Sequence, residues 1–169
     1  MRQMTEVSEN VLREAPFEKE SVAVVTPLEI FFLLKPQLRQ KVSYRVPVMP
    51  SVATVMDGLQ EGLPVEALDR AQDMLGITRE VLAGVLNSSV RTLARRKVLA
   101  PVESEKLFRL AELYQRAVEV VGGQEEAKRW FGGPKKALGG RTPLDYMVSD
   151  LGAREVENLL GRIEHGVFA

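Results

Sequence analysis

The sequence contains no cysteine and a single histidine, His165. Without cysteine there is no disulfide, no thiolate nucleophile and no thiolate zinc site, and a reducing cytoplasm is the natural compartment. One histidine leaves no imidazole cluster to hold a metal. Long apolar runs are also missing. The longest aliphatic or aromatic run, Ile30 to Leu34, is five residues, against the ~20 that a membrane-crossing helix needs, so no membrane role is expected. Residues 1–20 carry Glu6, Glu9, Glu14, Glu18 and Glu20 where a secretory signal would be basic and then apolar, and no export signal is read there. What remains is ordinary: 169 residues, 45% hydrophobic and 27% charged. That suits one sizeable core or two small ones, and is too short for a large cofactor domain joined to a substrate domain.

Net charge is zero, with 23 basic and 23 acidic residues, but the charge is segregated. Val81 to Val102 contains Arg91, Arg95, Arg96 and Lys97 and no acid. Ala127 to Leu144 contains Lys128, Arg129, Lys135, Lys136 and Arg141, again with no acid. These are the two places where a polyanion would dock.

Residues 1–50 are interrupted by Pro16, Pro27, Pro36, Pro47 and Pro50, which break each apolar stretch before a long helix can form. Val22 to Val25 and Val42 to Val48 have strand-like composition, and Leu28 to Leu34 suits either a helical turn or a two-sided strand. This region reads as an arm that packs on the main body or on a second copy.

From Pro50 onward the pattern is helical. Val52 to Leu59 predicts a short helix ended by Gly62, and Pro64 suits the first turn of the next, with Val65, Leu68, Ala71 and Leu75 on one face and Gly76 as the stop. Thr78 caps a third helix carrying Glu80 in its first turn and Val81, Leu82, Val85 and Leu86 inward. Asn87 and Ser88 break it. Ser89 then caps a fourth helix to about Arg96, with Val90, Leu93 and Ala94 on one side and Arg91, Thr92, Arg95 and Arg96 on the other.

Two short helices around a tight polar turn, the second with a basic outer face, form the helix-turn-helix pattern. A helix reads the major groove when its exposed side carries donors for base edges and phosphates and its first turn is small and polar. Ser88, Ser89, Arg91 and Thr92 are placed for base edges or nearby phosphates, and Arg95, Arg96 and Lys97 for flanking phosphates. The bland alternative is a solvated basic face. Ser104 opens the longest predicted helix, with Leu107, Leu110, Ala111, Tyr114, Ala117, Val118 and Val121 repeating at three and four residues until Gly122-Gly123. Any apolar remainder on it favours a homodimer, which a two-fold DNA site requires.

The closing segment predicts a short helix over Glu125 to Phe131, stopped by Gly132-Gly133-Pro134. In the loop that follows, Lys135 to Arg141, glycine amides beside cations allow a phosphate cradle, though without P-loop spacing or a preceding strand. Thr142, Pro143 and Asp145 make a helix start, and Asp150 begins a last helix with Val156, Leu159, Leu160 and Ile163 inward and Gly166 as its end. Trp130, Phe131, Leu138 and the Gly139-Gly140-Arg141 loop are the mixture found at the centre of a protein interface. The competing reading packs Trp130 and Leu138 inside the small domain. Arg162, Glu164 and His165 lie beyond the apolar stripe, where Arg and His suit a negative helix end. With Gly166, Val167 and Phe168 they form an accessible terminus suited to plugging a partner's cleft.

The motifs Ala127-x-x-Trp130, Pro134-x-x-Ala137-Leu138-Gly139-Gly140-Arg141-Thr142-Pro143-Leu144, Gly152-x-x-x-Val156 and Leu159-Leu160-Gly161-Arg162-Ile163-Glu164-His165-Gly166-Val167 closely resemble the toxin-binding domain of Xre/MbcA/ParS antitoxins. Leu75-Gly76-Ile77 to Val85, Ser89-x-Arg91-Thr92-Leu93-x-Arg95-Arg96 and Glu103-Ser104-Glu105-Lys106-Leu107 resemble the Xre-type DNA-binding half of the same family. The resemblance covers Val52 to Ala169. It implies a mainly α protein with an Xre-like helix-turn-helix domain (51–122) and a small helical toxin-binding domain (123–169), which follow the irregular arm (1–50) read from the prolines. It further implies an antitoxin of a type II pair, without a cofactor, that blocks a RES-domain NAD-depleting toxin and represses its own operon by binding operator DNA. A homodimer on its own and a larger assembly with the toxin are expected.

Two other readings are open. One is a stand-alone helix-turn-helix repressor whose C-terminal half dimerises or senses a ligand. The other is an enzyme using Glu164 with His165, or Asp145 with Asp150. Neighbouring residues on a helix point about 100° apart, so Glu164 and His165 do not converge on one substrate, and no nucleophile or metal cluster accompanies them.

Overall fold

The computed structural model describes Ile30, Phe31, Leu34, Lys35 and residues 52–167. The strand-like stretches Val22 to Val25 and Val42 to Val48, and Phe168, lie outside the described residues. Ile30, Phe31 and Leu34 are helical, the first of the two expectations for that stretch. The rest forms α1 (Val52–Glu61), α2 (Ala67–Leu75), α3 (Arg79–Val85), α4 (Val90–Ala94), α5 (Pro101–Val121), α6 (Gln124–Gly132), a 3-10 turn (Lys136–Leu138), α7 (Pro143–Tyr146) and α8 (Asp150–Glu164). Extended pairing among the described residues is confined to two isolated bridges, Pro64 with Val98 and Lys135 with Arg141. No helix among them is long and apolar enough to cross a membrane.

Local chemistry sets most boundaries. The Thr78 hydroxyl accepts from Val81 N and the Ser89 hydroxyl from Thr92 N, each satisfying an amide that the first helical turn leaves unpaired. Gly76 ends α2 in the left-handed region, at φ 66°. Three boundaries differ from the sequence pattern, one of them the end of α4, at Ala94 instead of about Arg96. α5 starts at Pro101, three residues before Ser104, because proline is pre-set for a first helical turn and Glu103 accepts the Ala100 amide at 2.8 Å. Ser104 therefore sits inside the helix, fully buried, and does not cap it. Pro64 pairs with Val98, and α2 begins only at Ala67. Val81, expected inward, is 43% exposed, since α3 turns Leu82, Ala83 and Val85 to the core.

α5 is the element that the others share. It packs against α1 and α2 on the N-terminal side and against α6 and α8 on the C-terminal side, and the apolar core runs through both as one cluster. Phe31 covers α1 at Gly58, where a methyl group would fall 2.2 Å from its ring. Arg70 donates to the Leu34 carbonyl and ties that helical piece to α2. The segment after α4 is strapped to the segment before α2 by Leu99 N to Leu63 O at 2.8 Å and Val65 N to Lys97 O at 3.0 Å. Gly62 makes the strap possible. Its φ is 92°, and a Cβ there would lie 2.4 Å from the Leu99 carbonyl oxygen.

Ser104 joins this strap to α5. Its hydroxyl accepts from the buried Leu63 amide at 2.9 Å and donates to the Ala100 carbonyl at 3.0 Å. Ser104→Ala leaves the Leu63 amide buried without that acceptor, at a cost of about 1–3 kcal/mol. A lower urea midpoint at unchanged slope is the expected result, and an unchanged midpoint would show that the amide finds another acceptor.

Candidate functional sites

The turn between α3 and α4 is tight because Asn87 adopts a positive φ of 54°, which asparagine tolerates better than most residues. Its amide donates to Gly84 O at 3.0 Å and that of Ser88 to Ala83 O at 2.9 Å. The Asn87 side chain donates to the Val148 carbonyl at 3.2 Å, where Lys106 Nζ also donates at 3.1 Å. The helix-turn-helix is thus fastened to the turn before α8. α4 buries Leu93 and half-buries Val90, leaving Ser89, Arg91, Thr92, Arg95, Arg96 and Lys97 exposed and Ser88 half-buried. The seven residues anticipated for DNA contact run from the turn (Ser88, Ser89) through α4 (Arg91, Thr92) to its C-cap Arg95 and the two residues after it, Arg96 and Lys97. Arg96 differs from the rest, because its guanidinium lies 2.6 Å from Glu103, whose side chain is only 11% exposed.

The C-terminal module places its aromatic residues unequally. Phe131 and Leu138, anticipated as interface residues, are each 1% exposed. They offer a partner no surface in this structure, because both complete the core, and the expectation of direct contact through them is corrected. Trp130 is half-buried, with its ring edge-on to Phe131 at 5.2 Å. Lys135 Nζ lies 5.4 Å from the Trp130 ring centroid, a cation–π geometry, and burial pushes its ammonium below the ordinary lysine range.

Gly139, Gly140 and Arg141 are exposed on a tight loop closed by Lys135 N to Arg141 O at 2.9 Å. The loop amides point inward: Gly139 N donates to Lys136 O at 3.0 Å, Gly140 N to Lys135 O at 2.9 Å and Arg141 N to Leu138 O at 3.3 Å. A phosphate cradle needs those amides turned outward, so that reading is corrected. Thr142 and Asp145 cap α7 reciprocally, and the Thr142 hydroxyl and amide hold the Asp145 carboxyl below the usual range. Asp150 is engaged by Arg109 at 2.8 Å. Both acids are occupied in structural contacts.

Along the exposed side of α8 an open groove is lined by Arg154, Asn158, Arg162, His165 and Val167, with Arg116 of α5 as its opposite wall. Arg116 donates to Glu164 at 3.0 Å and lies 3.7 Å from Glu157. Beyond α8, Val167 N folds back to Arg162 O at 2.9 Å, and Val167 is 59% exposed. Of the tail residues, Arg162, His165 and Val167 line the groove, while Glu164 is taken by Arg116 and Gly166 is exposed beside them; Trp130 lies apart, on α6. Arg116, Arg154 and Asn158 were missed by sequence reasoning. The i, i+4, i+8 spacing of 154, 158 and 162 was the available signal.

Two family models match the chain. The antitoxin Xre-like helix-turn-helix domain matches residues 56–112, and the antitoxin Xre/MbcA/ParS C-terminal toxin-binding domain matches residues 116–166. The antitoxin Xre of Yersinia enterocolitica is 32% identical over 120 residues, which is 68% of this chain and 81% of that protein. The antitoxin Xre of Photorhabdus laumondii is 32% identical over 117 residues, 66% of this chain and 78% of that protein. A chain of the M. tuberculosis MbcT-MbcA toxin-antitoxin complex is 24% identical and covers 62% of this chain and 96% of its own length, with a TM-score of 0.47.

The Arg116 hydrogen bond holds the Glu164 carboxyl below the ordinary range. A depressed carboxyl pKa means that the contact is complete above the unfolded value of about 4.3 and is lost as pH falls through the folded value. In an NMR titration, Arg116→Ala is expected to move the Glu164 midpoint up toward that ordinary value. Equal midpoints in parent and variant would show that Arg116 does not anchor the end of α8.

Proposed function

The chain belongs to the Xre antitoxin family, and from that premise we propose that it blocks a RES-domain NAD-depleting toxin with residues 123–169 and represses its own operon with residues 51–122. As a member of that family it is the antitoxin of a toxin-antitoxin pair, a regulatory protein and not an enzyme. The observation that carries the blocking role is the end of α8. Within the stretch matching a toxin-binding domain, residues 164–167 are exposed, Glu164 is held by Arg116, and Arg162, His165 and Val167 line a groove. A clamped terminus loses little conformational entropy on entering a cleft, which favours binding without refolding. The RES identity of the toxin rests on the motif resemblance from Trp130 to Val167. Trp130, with Lys135 on its ring, and the exposed Gly139-Gly140-Arg141 loop supply a second patch with aromatic and arginine character.

The repressor role is supported by the cap, turn and outward basic face of α4. A two-fold operator calls for a homodimer, and toxin binding by each copy makes a larger assembly. Both jobs place the protein in the cytoplasm, with its DNA and its toxin.

Truncation after Arg162 and the single change Val167→Asp are each expected to restore growth arrest when the chain is co-expressed with its toxin, with cellular NAD falling in parallel. The point variant keeps α8 whole, so it separates loss of the edge from loss of the fold. Full rescue by both variants would exclude the tail from toxin blockade. Unchanged NAD with growth arrest would exclude a NAD-depleting partner. Repression that needs neither toxin nor tail, in a strain without any neutralisation, would favour the stand-alone repressor.

A further inference from the structure

Resting on the DNA-binding reading above, we infer that Arg91 and Arg95 read the base edges of two guanines about two base pairs apart, while Arg96 positions the recognition helix without touching DNA. The assignment comes from how α4 sits on the protein. Successive residues of a helix are about 100° apart. Leu93 is fully buried and Val90 half-buried, so the inward direction lies between them. The opposite direction falls between Arg91 and Thr92, closest to Arg95. Arg91 and Arg95 are both exposed and one turn apart, and neither forms a salt bridge with another described residue.

Ser89, Thr92 and Arg96, on α4 and just beyond its two ends, are committed elsewhere. The Ser89 hydroxyl caps the helix at Thr92 N, 3.1 Å away, and the hydroxyls of Ser89 and Thr92 share a hydrogen bond of 2.8 Å. Arg96 projects sideways from the reading direction, toward α5. There Glu103 takes its guanidinium at 2.6 Å and the Ala100 amide at 2.8 Å. That carboxylate joins the end of α4 to the start of α5 and fixes the angle of the recognition helix. An arginine already held by a nearly buried carboxylate is a weak phosphate ligand, because leaving Glu103 would strand a desolvated charge.

The spacing follows from geometry. Four residues of helix rise about 6 Å, and base pairs stack at about 3.4 Å, so two guanidiniums one turn apart reach bases about two steps apart. Arginine pairs in bidentate fashion with guanine O6 and N7 in the major groove. Ala94, exposed beside them, lets the helix approach closely.

The test is selection of binding sites from random duplexes by the full chain, with sequencing, followed by affinity measurements over a salt series. The parent is expected to select two guanines at that spacing in each half-site. Arg91→Ala and Arg95→Ala are each expected to lose preference at one guanine, a different one for each variant, by about tenfold. Arg96→Ala is expected to weaken all sequences alike with the base preference and the salt slope unchanged, and Arg96→Lys, which can still pair with Glu103, recovers most of the loss. Circular dichroism establishes that each variant retains the helical fold. The inference is overturned if Arg95→Ala leaves every base preference intact and lowers the salt slope by about one, the mark of a phosphate contact. It is equally overturned if Arg96→Ala lowers the slope or erases a base preference. A parent that binds no duplex at any salt concentration removes the DNA-binding reading itself, and that outcome is distinct from binding with a different arginine assignment.

Discussion

Burial of α5 from two directions is the constraint on which the other parts depend. At 21 residues it is about 30 Å long, and its contacts change partner along its length. Glu103 and Ser104 hold the strap and the residue just after α4 at its start. Lys106 and Arg109 hold the turn and first residue of α8. Tyr114 packs on Phe131 and donates to the Gln124 carbonyl, and Arg116 holds the far end of α8. Each half uses the same rod as the floor of its core.

This sharing bears on both halves. The helix-turn-helix and the end of α8 are both referenced to α5, so their relative placement is set by side-chain packing and not by a linker. Asn87 adds a direct link by reaching from the helix-turn-helix to the carbonyl of Val148. Gly152 is part of the same seam. A Cβ on it would lie 2.0 Å from the Tyr146 carbonyl oxygen, so α8 can pack this closely after α7 only with glycine at that position.

Much of the fold was legible in the residue order. Thr78, Ser89, Thr142 and the stops at Gly76 and Gly122 act within one helical turn, and a short pattern suffices to read them. The two functional halves were legible for the same reason, since periodic apolar residues and local charge runs marked them. Ser104 was misread because a capping serine and a buried serine look alike until the neighbouring strap is in place. Phe131 and Trp130 are adjacent aromatics with equal claim to an interface, and only packing on Tyr114 shows which one the core takes. The glycine loop 139–140 carried the composition of an anion site, but its amides turn inward through hydrogen bonds that composition does not reveal.

The sequence by itself determined the helices, their caps, the segregated charge and the family. The tertiary structure decided which of those charges remain available. Arg96 and Glu103, Arg116 and Glu164, and Asn87 and Val148 are 7, 48 and 61 residues apart, and only the first pair lies within reach of a local pattern. Helix formation depends on neighbours within a turn, whereas the neutralisation of a charge depends on what the folded chain brings within about 3 Å of it.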